Sequence, residues 1–276
     1  MISLRKSDVT FRQMLTSIYN NRQLILTLAR REVLGRYSGS IIGLAWSFVN
    51  PLLMLAVYTF FFSVIFKARW GINSTQNQTD FAVILFVGLI VHGLFAECIN
   101  RAPLLITSNV NYVKKIIFPL EILPCVAMGG ALFHAIVSLL MLLIVQLVIA
   151  GSITWTIIFF PLILLPLILT TLGIAWILAA IGVYIRDVGH IITFFTTILL
   201  FVSPVFYPLS MVPLKLKTII LLNPLTLIIE QSRKVLIFGE IPDWSSLIFY
   251  TICSIFIAWV GFWGFQKMRG GFADVL

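Results

Sequence analysis

Six long apolar runs restrict this chain to one fold class. A helix needs about 20 apolar residues to cross about 30 Å of hydrocarbon, because each residue advances the helix by about 1.5 Å. In chain order the runs are Ile41–Phe66, Phe81–Asn100, Ile122–Ala150, Ile153–Ile185, Ile191–Leu209 and Ser246–Phe265. With 60% hydrophobic and 11% charged residues, the chain cannot supply the polar surface of a soluble domain. We therefore predict an all-α, polytopic membrane protein with six transmembrane helices.

The segment between the fifth and sixth runs is too short to cross a membrane. Its apolar part, Thr218–Ile229, has 12 residues, which reach about 18 Å as a helix. Asn223 and Pro224 interrupt it, so we predict a re-entrant pair of half-helices before the last span. Six spans place both termini on one side, and the half-helices belong to the opposite, periplasmic side.

The distribution of basic residues agrees with this topology. The net charge is +9, and seven of the 19 basic residues precede residue 37. Lys and Arg collect on the cytoplasmic flanks of membrane spans. The predicted topology places thirteen of them on the side of the termini and six on the other side. We therefore predict cytoplasmic termini and expect membrane lipids, and no nucleic acid, as the partners of the positive charge.

The N-terminal segment has the pattern of an amphipathic helix. Between Phe11 and Val33, apolar residues recur at steps of three, four and seven, with arginine and asparagine on the other faces. Such a helix lies in the headgroup layer. The alternative is a plain basic anchor. We accordingly divide the chain into residues 1–35, a cytoplasmic tail with an interface helix, and residues 36–276, the six-span domain.

Motifs for enzyme chemistry are missing from the sequence. No Gly-x-x-x-x-Gly-Lys-Ser/Thr occurs, so the chain cannot bind ATP by that route. Three histidines lie in different segments without a carboxylate at ligand spacing, and we predict no metal site. Glu97 is the strongest intramembrane candidate, and Arg101 four residues later can pair with it on the same helix. A proton relay through Glu97 is the alternative.

An ordered set of motifs resembles the permeases of ABC transporters that export polysaccharides, of the O-antigen or capsule type. Teichoic acid exporters share much of the pattern. The resemblance covers nearly the whole chain and rests on these segments: Arg30–Trp46 with Pro51, Asn111–Lys115 with Phe118–Pro119, Arg186–Asp187, Ser203–Pro208 and Asn223–Thr226.

The resemblance implies an export function that needs partners. Such permeases are homodimers that bind two separate ATPase subunits, which hold ATP and Mg, so this chain itself needs no cofactor and is not an enzyme. They move a glycan carried on undecaprenyl diphosphate across the bacterial inner membrane. Two alternatives stay open. One is an ABC permease for another substrate, such as a drug, haem or teichoic acid, and the other is a polytopic membrane enzyme acting on lipid-linked sugars.

Two basic segments are the candidate sites at the cytoplasmic side. Arginine matches phosphate oxygens with two parallel hydrogen bonds, so we predict a lipid-diphosphate entry site where the interface helix meets the first span. Binding of anionic phospholipid is the alternative. The predicted entry residues are Arg30, Arg31, Arg36 and Tyr37. We also predict that Val110–Phe118 forms a short helix that docks into the ATPase, through Asn111, Tyr112, Lys114 and Lys115.

Aromatic rings are the candidate lining of a glycan conduit formed by the first, second and fifth spans. Rings stack on the apolar faces of sugars without trapping them, which suits sliding. The predicted conduit residues are Trp46, Tyr58, Phe62, Phe86, Phe195 and Phe201. The predicted periplasmic gate consists of Tyr207, Asn223 and Pro224. Rings that face lipid or pack the dimer are the alternative.

Overall fold

The computed structural model describes residues 10–65, 78–113 and 118–276, and within these ranges helices are the only regular elements. The predicted all-α, polytopic membrane fold is confirmed. In chain order the α-helices are α1 (Phe11–Asn20), α2 (Arg22–Arg36), α3 (Trp46–Tyr58), α4 (Gln78–Arg101), α5 (Val110–Val113), α6 (Leu123–Ala150), α7 (Phe160–Tyr184), α8 (Val188–Val202), α9 (Leu214–Leu222), α10 (Pro224–Arg233), α11 (Trp244–Met268) and α12 (Phe272–Val275).

Five helical segments in the described part of the chain are long and apolar enough to cross a membrane. They are Gly43–Phe62, Phe81–Leu104, Leu120–Ile149, Trp155–Tyr184 and Trp244–Val275. The fifth predicted run contains a shorter helix, α8, with 15 residues. It ends before Ser203 because Pro204 favours an extended conformation at the residue that precedes it. The predicted run Ile191–Leu209 is therefore part helix and part bend.

Different elements lie at the two ends of the bundle. At one end, which we call the terminal end, α1 and the residue after α11 both contact Glu121, which lies shortly before α6. The Ser17 hydroxyl donates to Glu121 Oε1 at 3.0 Å, and Arg269 Nη1 lies 2.7 Å from Glu121 Oε2. The opposite, distal end holds α9 and α10, followed by the π-helical turn Lys234–Phe238. There the Thr156 hydroxyl donates to the Val235 carbonyl at 2.5 Å.

The N-terminal amphipathic segment is helical, but it is broken into α1 and α2. Thr10 caps α1, since its hydroxyl accepts from the Gln13 amide while the Gln13 side chain accepts from the Thr10 amide. The break lies at Asn21, whose side-chain amide donates to the Ser17 carbonyl at 2.7 Å and so ends α1. The sequence pattern predicted one continuous helix, and this local hydrogen bond is the reason for the difference.

The predicted pair of short helices before the last span is confirmed as α9 and α10. Asn223 separates them with an extended backbone, and its side-chain oxygen accepts from the Leu225 amide at 3.0 Å. Pro224 occupies the first position of α10, where its missing N–H costs nothing. The side-chain amide of Asn223 also donates to the Ser203 hydroxyl at 2.8 Å, which connects the pair to the bend after α8.

The core forms where α7 packs against α11 with almost no side chains between the backbones. Gly173 of α7 faces Gly261 of α11, and a Cβ added at Gly261 would lie 2.7 Å from the Gly173 Cα. Beside this contact, the rings of Trp176 and Phe262 meet edge to face at 5.3 Å. Small residues allow close helix packing, which is a main source of helix association in a membrane. The α7–α11 pair therefore forms the rigid centre of the fold.

Candidate functional site

Two ion pairs join α2 to α4 at the terminal end. Arg36 Nη1 lies 2.7 Å from Glu97 Oε1, and Arg101 pairs with Glu32. Each helix supplies one acid and one base four residues apart, and the two helices meet so that each acid faces the other helix's base. The predicted pair of Glu97 with Arg101 on one helix is therefore wrong. The partners on α2 satisfy both charges instead.

His134 of α6 is a second partner of the Glu97 carboxylate. Its Nδ1 lies 2.9 Å from Glu97 Oε2, and its Nε2 lies 3.0 Å from the Tyr37 hydroxyl. A carboxylate can only accept, so Nδ1 carries the proton toward Glu97 and Nε2 accepts from the tyrosine in the neutral ring. The Tyr37 hydroxyl, the His134 ring, Glu97 and Arg36 thus form one polar cluster.

The Tyr37 hydroxyl keeps its proton in this cluster. Its partial burial raises the pKa of Tyr37 above the ordinary value; the nearby Arg36 charge lowers it, and Glu97 raises it further. A protonated phenol can donate to His134, as the geometry requires. The hydrogen bonds therefore run in one direction, from Tyr37 through His134 to Glu97.

Close packing against α6 brings α2 and its charges to the bundle. A Cβ added at Gly129 would lie 2.8 Å from the Ala29 side chain, and one at Gly130 would lie 2.9 Å from Glu32 Oε1. The two glycines therefore leave the space that α2 and its carboxylate occupy. His134 follows one turn after Gly130, which places it beside the Arg36–Glu97 pair.

The four predicted entry residues divide into two groups. Arg36 and Tyr37 belong to the polar cluster, whereas Arg30 and Arg31 are exposed on α2. Arg30 and Arg31 both line an open cavity of about 380 Å³ along α2. Arg31 also lines a cavity of about 600 Å³ that extends to Asn109 and Tyr112. The larger cavity connects the interface helix to the segment predicted to dock the ATPase.

The predicted docking segment begins with the short helix α5. Asn111 is exposed there, and the ring of Tyr112 stacks on that of Phe118 at 4.2 Å with an interplanar angle of 10°. The predicted residues Lys114 and Lys115 lie outside the described residues. Arg269 Nη2 donates to the Phe118 carbonyl at 3.2 Å. The docking segment is thus held by an aromatic stack and by the C-terminal region of the chain.

Three of the six predicted conduit rings form one array near the distal end. Tyr58 lies 6.4 Å from Phe62, and Phe62 stacks at 6.1 Å on Phe206, which itself stacks at 5.6 Å on Phe201. The array joins α3 to the bend after α8. Phe206 was not among the predicted conduit residues, although it stands in the aromatic Ser203–Pro208 motif. The structure adds it as the ring that connects the other three.

The other three predicted conduit rings are dispersed. Phe86 is 4% exposed and packs in the apolar core of the single chain, and its role in the conduit stays a prediction. The second span is the most buried of the five long spans, which explains why its ring packs inward. Trp46 is half-buried near the start of α3 and donates to the Ser40 hydroxyl at 3.1 Å. Phe195 is exposed on α8.

The bend after α8, which precedes the predicted gate residue Tyr207, is held by a buried arginine that sequence reasoning missed. Arg233 is 1% exposed and donates to the carbonyls of Pro204 at 2.6 Å, Val205 at 2.8 Å and Ile84 at 3.2 Å. Its Nη1 also lies 2.9 Å from Glu230 Oε1. The Tyr207 hydroxyl donates to the Val202 carbonyl at 2.8 Å. The bend after α8, the start of α4 and the end of α10 thus meet at one guanidinium.

A signal for Arg233 existed in the sequence. It is a basic residue four positions after the apolar stretch that ends at Ile229 and three positions after Glu230, and a charge beside apolar segments is costly unless it is paired. In the sequence analysis, Arg233 contributes only to the number of basic residues on the side opposite the termini. Among the described residues, no group of His, Cys, Asp and Glu side chains is arranged to hold a metal ion.

Comparisons with known proteins agree with this architecture. A family model described as "ABC-2 type transporter" matches residues 23–237. The O-antigen export system permease protein RfbA of Myxococcus xanthus is 28% identical over 264 residues, which cover 95% of this chain and 98% of that protein. RfbA of Klebsiella pneumoniae is 25% identical over 92% of this chain and 95% of its own length. The polysialic acid transport protein KpsM of Escherichia coli is 26% identical over 82% of this chain and 87% of its own length.

These matches extend from the interface helix to the distal end of the bundle. The family model alone covers more than half of the chain, and it includes both ion pairs' residues on α2 and α4 as well as the buried Arg233. The resemblance drawn from the motifs is confirmed at the level of the family. This chain belongs to the ABC-2 type transporter family of membrane proteins.

Proposed function

We propose that the chain is the transmembrane subunit of an ATP-driven exporter of polysaccharide. The observation that carries the proposal is the near full-length similarity to permeases named for O-antigen export and polysialic acid transport. A transporter family member without a nucleotide motif needs an ATPase partner, since export against a gradient consumes energy. In the proposal, ATP and Mg are bound by that partner, and this chain contributes no catalytic residue.

The proposal includes an assembly, a location and a substrate carrier. Two copies of this chain form a homodimer with two ATPase subunits in the bacterial inner membrane, with both termini cytoplasmic. The span Gly43–Phe62 supports a lipid-facing or intersubunit position, because only 11% of its most apolar part is buried within one chain. The substrate is carried on undecaprenyl diphosphate and enters beside Arg30, Arg31, Arg36 and Tyr37. The glycan then passes the aromatic array and a gate at Tyr207, Asn223 and Pro224.

Genetic replacement tests the proposed function. A strain that lacks this gene and retains the ATPase should lose surface polysaccharide and accumulate lipid-linked glycan on the cytoplasmic side of the membrane. Expression of the intact chain should restore export, measured by surface labelling against total glycan. Normal surface polysaccharide in the deletion strain, with no accumulation inside, would refute the export function. Loss of glycan in both fractions would indicate the alternative, an enzyme of glycan synthesis.

Cross-linking tests the docking of α5 on the ATPase. We expect Asn111→Cys to form a disulfide or a short chemical cross-link with a cysteine in the ATPase, because Asn111 is exposed on the short helix of the docking segment. Ser245→Cys is the control, since Ser245 is exposed at the distal end and lies on the other side of the bundle. Free labelling of Asn111→Cys by a water-soluble maleimide in the assembled complex would contradict the docking.

Alanine substitution tests the aromatic array as part of the conduit. We expect Phe62→Ala and Phe201→Ala each to lower export roughly fivefold, as loss of about 1 kcal/mol of ring contact would do. The measurement is surface polysaccharide at equal protein level. Phe256→Ala is the matched control, because Phe256 is 61% exposed on α11, away from the array, and Phe201 is 64% exposed. Equal export in all three variants would contradict a role for the array.

A further inference from the structure

The two ion pairs between α2 and α4 differ in the number of their partners. Glu97 is held by Arg36 at 2.7 Å and by His134 at 2.9 Å. Among the described residues, Glu32 and Arg101 have only each other as charged partners. If Arg36 leaves, Glu97 keeps a donor, whereas separation of the other pair leaves two charges without a partner. The first pair can therefore exchange partners at a lower cost than the second.

Of the two paired arginines, Arg36 is also the more accessible to an anion from the surroundings. Its side chain is 39% exposed, compared with 29% for Arg101 and 20% for Glu97. Its contact with Glu97 uses Nη1. Its Nε and Nη2 form no hydrogen bond within the part of the chain that the structure describes. A guanidinium with such an open edge can bind two phosphate oxygens at once.

His134 belongs to a different helix from Arg36. It lies within α6, and its ring meets that of Phe133 edge to face at 5.5 Å. When the end of α2 moves, the ring loses its contact with Tyr37, but α6 keeps it beside Glu97. These properties make His134 the group that compensates Glu97 after Arg36 has left.

We propose that Glu97 is a built-in competitor for Arg36, and that a phosphate group of a lipid diphosphate displaces it while His134 retains the carboxylate. The inference rests on the proposed export function, because that function supplies the lipid diphosphate. Binding exchanges one anion for another on the same guanidinium, so Arg36 keeps an anionic partner and Glu97 keeps the hydrogen bond from His134. The end of α2 is released from α4 only when a phosphate is present, and the Glu32–Arg101 pair remains as the pivot.

The sign of the mutational effects distinguishes competition from simple positioning. The permease–ATPase complex, in nanodiscs of phosphatidylcholine, is titrated with radiolabelled geranylgeranyl diphosphate. Glu97→Gln removes the competing charge, so we expect about fivefold tighter binding. This factor corresponds to the interaction free energy of a partly exposed ion pair. Arg36→Ala removes the receptor and should abolish the preference for the diphosphate over geranylgeraniol. If Glu97 only positioned Arg36, Glu97→Gln would weaken binding instead.

Two further variants complete the test. His134→Phe keeps a ring but removes the donor that retains Glu97, so release of Arg36 becomes harder and we expect about fivefold weaker binding. Glu240→Gln is the matched control, since it removes an exposed carboxylate at the distal end, away from Arg36, and we expect affinity unchanged within about twofold. A merely structural role would make Glu97→Gln and His134→Phe change affinity in the same direction.

The outcomes separate the inference from the proposed function. Diphosphate binding by the wild-type complex with equal affinity in Glu97→Gln, or equal shifts in Glu97→Gln and Glu240→Gln, overturns the competition and leaves the export function standing. Wild-type affinity no higher for the diphosphate than for geranylgeraniol overturns both the inference and the proposed lipid-diphosphate carrier, whereas polysaccharide export itself is decided by the deletion strain. Nanodiscs that contain phosphatidylglycerol provide the last arm. Complete loss of diphosphate binding there would assign the site to bulk anionic lipid and refute the inference.

Discussion

Replacing Arg233 with methionine should destabilise the distal end and abolish export. Three backbone carbonyls, those of Ile84, Pro204 and Val205, would lose their donor in a buried site. Removal of one partner from a buried charged network costs about 3–5 kcal/mol. We therefore expect a lower melting temperature in detergent and surface polysaccharide near background. Fluorescence-detected size-exclusion chromatography after heating measures the first effect.

Variants with other basic residues give this prediction its controls. Arg233→Lys keeps the charge but has a single ammonium, which cannot reach carbonyls on two sides as the planar guanidinium does. We expect only partial recovery of stability. Lys215→Met removes an exposed basic residue at the same end and should leave both measurements unchanged. A wild-type melting temperature in Arg233→Met would show that the guanidinium does not hold the bend after α8.

Introducing a side chain at Gly261 should prevent correct folding of the bundle. In Gly261→Val, the new Cβ would lie 2.6 Å from the carbonyl carbon of Gly173, a distance that requires α7 and α11 to separate. The Gly173 carbonyl belongs to the backbone of α7, and the position of the new Cβ is fixed by the backbone of α11. Neither group can therefore rotate away from the other. Overpacking costs about 1–3 kcal/mol when a core can adjust, and we expect the upper end or more here. The measurement is the yield of monodisperse protein from membranes.

The same helix offers the control for this substitution. Gly264 lies three residues later on α11, and a Cβ added there would meet nothing within 4 Å. Gly264→Val should therefore express at the wild-type level, because it brings the same side chain without a collision. If both variants failed equally, the cause would be the β-branched side chain in the helix, and the close α7–α11 contact would not be limiting.

The fold class and most helix positions could be predicted from the amino-acid sequence, because they depend on local patterns. Of the six apolar runs predicted to span, five contain long helices in the described part of the chain, and the turn residues Asn223 and Pro224 predicted the short pair α9 and α10. Errors occurred where one local feature, a side-chain hydrogen bond or a proline, ended a helix. Asn21 divides the amphipathic segment, and the Ser203–Pro204 bend shortens α8.

The candidate sites depended on which helix faces meet, and apolar runs carry little information about that. A span that is hydrophobic on all sides does not reveal which side faces lipid, so Phe86 could not be recognised as buried. The same uncertainty applies to Phe206, which connects the predicted rings only through contacts between separate helices.

The amino-acid sequence by itself determined that this chain spans a membrane, where its helices run and which family it resembles. Composition, run length and motif order are properties of neighbouring residues, and no long-range contact is needed to establish them. Only the tertiary structure decided that Glu97 pairs with Arg36 and His134, and that Arg233 bonds three carbonyls. These contacts join residues far apart in the chain. Their physical cause is the close packing at glycines of α6, α7 and α11, which sets the distances between helices and therefore the partner of each charge.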